Sequence, residues 1–177
     1  SLFLTATTLP AQLATPAESF ASEDKIVATT WFHWYAVNGG QLSGPWQPLE
    51  GRENWTGLTP WWKTQIKQAM MANIDVLLVH LIPTAEERRE PFFRALGELR
   101  GEGYDVPKVA PFLDPLVTWF ERPDVDLATT AGKNVFAAQY IRWFAQYFSN
   151  NPDALAGDYL AKIDDRLILS TWHLFLN

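Results

Sequence analysis

Four short apolar runs recur along the chain, and each closes on a polar side chain. They are Ile26-Val-Ala-Thr-Thr-Trp-Phe-His33-Trp-Tyr35, Val76-Leu-Leu-Val-His80, Val109-Ala-Pro-Phe-Leu-Asp114 and Leu167-Ile-Leu-Ser-Thr-Trp-His173. Near-continuous apolar runs of this length predict parallel strands covered on both faces. Helical spacing fills the intervals. Thr59-Pro60 reads as an N-cap followed by proline at the first helical position. Trp62, Ile66, Ala69 and Met70 then fall on the face turned to the sheet. Thr84-Ala-Glu-Glu87 fits a capping box, and Pro91 is expected to restart that helix. Phe92, Phe93, Leu96 and Leu99 form its apolar face, before Gly101 and Gly103 stop it. A third helix, about Asn134 to Phe148, is expected to bury Phe136, Tyr140, Ile141, Phe144 and Phe148. A short helix, about Asp153 to Leu160, leads to Asp164-Asp-Arg166 and the fourth run.

Alternating strands and helices predict a parallel sheet with right-handed crossovers. An open four-stranded sheet and part of a closed barrel both fit. The fold class expected is α/β, an incomplete (β/α)8 barrel of about four parallel strands with outer helices. It spans residues 26–177, after an N-terminal extended segment or leader remnant at 1–25. The apolar stretch Leu174-Phe-Leu-Asn177 includes no helix to cover the sheet. The remainder of the barrel is therefore expected from a further C-terminal part or from a second chain.

Composition narrows the chemistry. The net charge of -6 argues against a nucleic-acid partner, which needs a basic face. No apolar stretch reaches the length of a membrane span, so no membrane partner is expected. With no cysteine, disulfides, zinc–thiolate sites and cysteine catalysis are excluded. Neither a phosphate loop nor a dinucleotide fingerprint is present, and no cofactor is expected. Nine tryptophans among 177 residues need an account. A Trp-rich core supplies one. A sugar site supplies another, because an indole face covers the apolar side of a pyranose ring. The leader-like start favours a secreted or periplasmic protein.

The order of motifs resembles glycoside hydrolase families 71 and 99 over about residues 26 to 173. The aromatic strand Trp31-Phe-His-Trp-Tyr35 is similar to their opening strand. Trp61-Trp-Lys-Thr-Gln-Ile66 through Ala72-Asn-Ile-Asp-Val-Leu-Leu-Val79 is similar to their next helix and strand. Leu99 to Pro107 with Pro111-Phe-Leu-Asp114, and then Tyr159-Leu-Ala-Lys-Ile-Asp-Asp-Arg166, follow in the family's order. Asn73 and Asp165 stand where the family carries glycine, Leu167 where it carries proline, and His80 where it carries an aromatic. The resemblance implies a barrel glycosidase whose catalytic carboxylates lie on later strands.

In parallel barrels, strand ends carry the site. His33, Trp34, Tyr35, His80, Asp114, Trp172 and His173 are therefore expected at one cleft, roofed by the Ala36–Leu58 loop. Asp114 is the candidate catalytic residue, able to hold two hydroxyls or act as general base. His33 and His80 are candidate polar contacts, with Trp34, Tyr35 or Trp172 as stacking surfaces. Trp172 and His173 are alternatives, since neighbours on a strand face opposite ways. Glycosidases need two carboxyl groups about 5–10 Å apart. Glu50, Glu53 and Glu121 are loop acids more readily explained as solvated. His33, His80, Asp114 and His173 also form a donor set suited to zinc. With no His-x-His and no strand-end lysine, no metal is expected. The function expected is a glycoside hydrolase acting on or binding an oligosaccharide or polysaccharide. A noncatalytic carbohydrate-binding barrel and a metal-dependent hydrolase using strand-end His and Asp are the alternatives.

Overall fold

The structure is a computed structural model, and it describes residues 20–32, 49–51, 54–81, 86–114, 124–144 and 159–171. Its elements are β1 (Ala28–Trp31), α1 (Thr59–Met71), β2 (Val76–Leu81), α2 (Glu86–Gly101), β3 (Lys108–Leu113), α3 (Thr130–Phe144), β4 (Lys162–Ile163), β5 (Arg166–Leu167) and β6 (Ser170–Thr171). Four strands form one parallel sheet in the order β1-β2-β3-β6. The order follows the chain and never reverses across the sheet, as it would in a doubly wound fold. The sheet curls into half of a (β/α)8 barrel, as the alternation of runs predicted.

Strand alternation divides the side chains between two faces. Leu77, Val79, Val109 and Leu113 face α1 and α2 and pack with Trp62, Ile66, Ala69, Phe92, Phe93, Leu96 and Leu99. On the other face Val76 and Ala110 pack with Leu78, Phe20 and Ile168. The aromatic members interlock. Trp55 stacks on Trp61 at 5.5 Å, Trp61 meets Trp62 edge-on at 4.4 Å, and Trp62 lies 5.9 Å from Trp31 and 5.4 Å from Phe92. Each buried large side chain of this kind stabilises the fold by about 1.5–3 kcal/mol. For these four tryptophans the core account is the right one.

Both helix-to-strand turns use the same device. After α1, the Asn73 N–H bonds the Met70 carbonyl (3.0 Å) and the Ile74 N–H bonds the Ala69 carbonyl (3.0 Å). After α2, the Gly103 N–H bonds the Arg100 carbonyl (2.9 Å) and the Tyr104 N–H bonds the Leu99 carbonyl (3.0 Å). These are Schellman caps, which need a left-handed residue. Asn73 has φ 54° and Gly103 has φ 89°. Asparagine tolerates this conformation better than most residues with a side chain, so it can stand at a position that resembles a family glycine.

Several boundaries differ from expectation. The first strand is Ala28–Trp31 rather than Ile26 to Tyr35, and residues 33–35 lie outside those described. Leu58, not Thr59, is the N-cap of α1, and its carbonyl accepts from the Trp62 N–H at 3.0 Å. Pro91 lies inside a continuous α2 rather than restarting it. Helix α3 begins four residues early because Thr129 caps it, its hydroxyl accepting from the Gly132 N–H at 3.0 Å. Glycine is required there, since a Cβ on Gly132 would lie 1.8 Å from the Asp126 carbonyl oxygen. Gly132, Phe136 and Gln139 turn inward and Ile141, expected in the core, is 70% exposed.

The fourth sheet position is the largest departure. Tyr159 and Leu160 are not helical. Leu160 bridges Val109 in parallel, the Ala161 N–H donates to the Val109 carbonyl at 2.8 Å, and Ser170–Thr171 pair with Phe112–Leu113. Val109 to Phe112 is three residues, whereas Leu160 to Ser170 is ten. The excess is the β4–β5 hairpin, turned by Asp164 (φ 47°) and Asp165 (φ 62°). Two positive φ angles in a two-residue loop are the type I′ signature. Phe20 adds a parallel bridge to Ile163. Among the described residues, no helix is long and apolar enough to cross a membrane.

Candidate functional site

The barrel-interior side of β2 and β3 carries a polar pair at its carboxyl end. His80 is the penultimate residue of β2 and stands in register with Phe112. Asp114 follows β3 directly and lies two residues beyond Phe112, so strand alternation sends it to the same side. His80 Nε2 is 3.0 Å from Asp114 Oδ2. Trp31 is in register with Val79, which brings the next residue, Phe32, level with His80. The imidazole sits 5.3 Å from the Phe32 ring and 5.3 Å from the Phe112 ring. The two phenyl rings meet edge-to-face at 6.2 Å.

The pair is graded in depth. The His80 side chain is 5% exposed and that of Asp114 is 16%. Burial pushes the His80 pKa below its ordinary value, and the hydrogen bond and charge of Asp114 oppose this. The imidazole is accordingly neutral at pH 7, with one ring N–H. A carboxylate only accepts, so Nε2 carries the proton and donates to Asp114. The arrangement is a carboxylate at the mouth of the sheet held from beneath by a buried neutral imidazole.

Of the residues expected at the cleft, the structure brings His80 and Asp114 together. His33, Trp34, Tyr35, Trp172 and His173 lie outside the described residues, as do Glu53, Glu121 and most of the Ala36–Leu58 loop. Phe32 and Thr171 mark where the chain enters two of those stretches, and both are at this end of the sheet. Glu50 lies elsewhere: it accepts from Gln65 Nε2 at 3.2 Å and from Gln68 Nε2, and so ties the loop before α1 to that helix. Among the described residues, no group of three or more His, Asp or Glu side chains could hold a metal ion. Phe32 and Phe112 were missed as site residues. The strand register places them beside His80, and that register is not written in the sequence of any one strand.

The fold is shared with a solved enzyme. The chain is similar to the GH99 endo-alpha-mannosidase from Bacteroides thetaiotaomicron in complex with BIS-TRIS-propane, with a TM-score of 0.53 and 12% sequence identity. The match covers 86% of this chain and 43% of that one. A second structure described as the same bacterium's GH99 endo-alpha-mannosidase matches with a TM-score of 0.46 and 12% identity, covering 79% of this chain and 44% of that one. The chain thus spans less than half the length of the mannosidase. No family model matches the chain, and no curated protein matches it by sequence. The likeness is one of fold, a distant relation between barrels.

Proposed function

We propose that the chain is the opening half of a glycan-processing barrel related to the family 99 glycosidases, with its glycan site at the carboxyl end of the sheet. The observation that carries this reading is the Asp114 carboxylate, placed at a strand end and backed by His80. Parallel barrels gather their chemistry at this face. A carboxylate there accepts hydrogen bonds from neighbouring sugar hydroxyls, or takes a proton as general base. Because the fold neighbour is an endo-alpha-mannosidase, the substrate class proposed is an oligosaccharide containing α-linked mannose. His33, Trp34, Tyr35 and one of the alternatives Trp172 and His173 are proposed to complete the cleft. Hydrolysis needs a second carboxyl group, which this reading assigns to a strand of the other half of the barrel. A secreted or periplasmic location accords with a glycan substrate.

The test is titration of the protein with mannan-derived oligosaccharides by calorimetry, with products read by mass spectrometry. Binding with cleavage supports the glycosidase. Binding without cleavage supports a noncatalytic carbohydrate-binding barrel. Cleavage abolished by a chelator supports the metal-dependent alternative. If no oligosaccharide binds, the glycan reading is wrong.

A further inference from the structure

Resting on the reading of this face as a glycan site, we infer that His80 is a positioning residue for Asp114: its Nε2–H holds the carboxylate in place, so that Asp114 and not the imidazole meets the sugar. Three observations converge. The first is depth, because His80 is the inner partner, 5% exposed against 16% for Asp114. Where an imidazole is the working group and a carboxylate orients it, the carboxylate is the buried member. Here the order is inverted.

The second observation is the setting of the ring. Phe32 and Phe112 each lie 5.3 Å from the imidazole, so aromatic neighbours enclose it from the strands on either side. The third is polarity. The bond at 3.0 Å runs from a ring N–H to a carboxylate, which leaves the negative charge on the outer partner. A carboxylate so held accepts from sugar hydroxyls without first reorganising. Pre-fixed polar groups of this kind raise affinity by removing ordering costs at the moment of binding. Asp114 is a charged group that faces His80, and Phe32 and Phe112 are uncharged.

Two variants separate positioning from contact and from packing. His80→Gln keeps an amide N–H near the place of Nε2, whereas His80→Phe keeps a ring but removes the donor. His80→Phe is expected to weaken mannan-oligosaccharide binding roughly tenfold, the loss of one hydrogen bond to a charged group. His80→Gln is expected to stay within about threefold of the native protein. Equal loss in both variants would mean that the imidazole itself touches the sugar, and no loss in either would mean that it positions nothing. Both outcomes overturn the inference.

A second measurement does not depend on the sugar. The chain has three histidines, so nitrogen-15 spectra can assign His80 by its disappearance in His80→Gln. The expected signature is a neutral ring protonated at Nε2 at pH 7, changed in Asp114→Ala. A ring protonated at Nδ1, or one indifferent to Asp114→Ala, would refute the positioning role. Should the native protein bind no oligosaccharide while the Nε2–H signature holds, the glycan reading fails and the pairing stands.

Discussion

Asp75 and Asp114 are carboxylates at opposite ends of neighbouring strands, and the sheet uses them differently. Asp75 precedes β2, and its Oδ2 accepts from the Val27 N–H at 2.8 Å. Its own N–H donates to the Val27 carbonyl at 2.9 Å, and its carbonyl accepts from the Lys108 N–H at 2.9 Å. Asp75 therefore stitches the starts of three strands through the backbone. Asp114 instead meets a buried side chain, His80. The amino end also holds the Asn73 and Gly103 turns and a cavity of about 270 Å³ lined in part by Phe20, Ile74, Asp75 and Lys108. Polar groups spent on backbone there serve the fold. At the carboxyl end a polar side chain is held by another, the arrangement on which the proposed site rests.

The sharpest break of that contrast is a paired substitution. Asp114→Asn is expected to weaken oligosaccharide binding about 10- to 100-fold, the range for losing a charged acceptor. Its melting temperature should change little, because the asparagine oxygen still accepts from His80. Asp75→Ala should do the opposite. It leaves the Val27 N–H without its side-chain acceptor and should lower stability by about 1–3 kcal/mol, with affinity per folded molecule unchanged. Calorimetry of binding and of unfolding on both variants reads this. If Asp75→Ala weakens binding as much as Asp114→Asn, the two ends do not divide the labour.

The two Schellman turns sharpen the amino-end half of the comparison. Gly103→Ala meets no atom within 4 Å, so its penalty is conformational, about 1–2 kcal/mol. At the equivalent place Asn73→Gly should stabilise, by less than about 1 kcal/mol, since glycine adopts φ 54° without strain. Denaturant midpoints decide both signs. Asp165→Gly in the hairpin, at φ 62°, should give a gain of the same small order.

The carboxyl end carries its own pH dependence. The folded pKa of His80 lies below 6.5, mainly through burial. The unfolded chain therefore takes up the proton first as pH falls. The stability linked to His80 is fully present above about pH 6.5 and is lost as pH falls from there to the lowered folded value. Subtracting the stability curve of His80→Phe from that of the native protein should isolate this slope. A difference curve flat between pH 7 and 5 would contradict it.

What could be read from the chain by itself was periodicity. The apolar runs ending at His80 and Asp114 are strands because their patterns suit burial on both faces, and the helices between them make the pairing parallel. The Trp62-Ile66-Ala69 face of α1 and the Phe92-Phe93-Leu96-Leu99 face of α2 were legible for the same reason. Asp114 was legible as an acid at the end of a predicted strand, the position on which the proposed site rests.

What only the tertiary structure decided are relations between distant residues. That His80 bonds Asp114 depends on the β2–β3 register, 34 residues apart in sequence. That His80 lies deeper than Asp114, with Phe32 and Phe112 beside its ring, likewise depends on packing between strands. Local signals also misled where long-range contacts outweighed them. Gly132 reads as loop but lies in the first turn of α3, where Thr129 caps the helix and the Asp126 carbonyl leaves no room for a side chain. Leu167 reads as the opening of the fourth strand but belongs with Arg166 to a hairpin, and the partner of Val109 is Leu160. A strand's pattern records that it is buried, while its neighbours in the sheet determine what its last side chain touches.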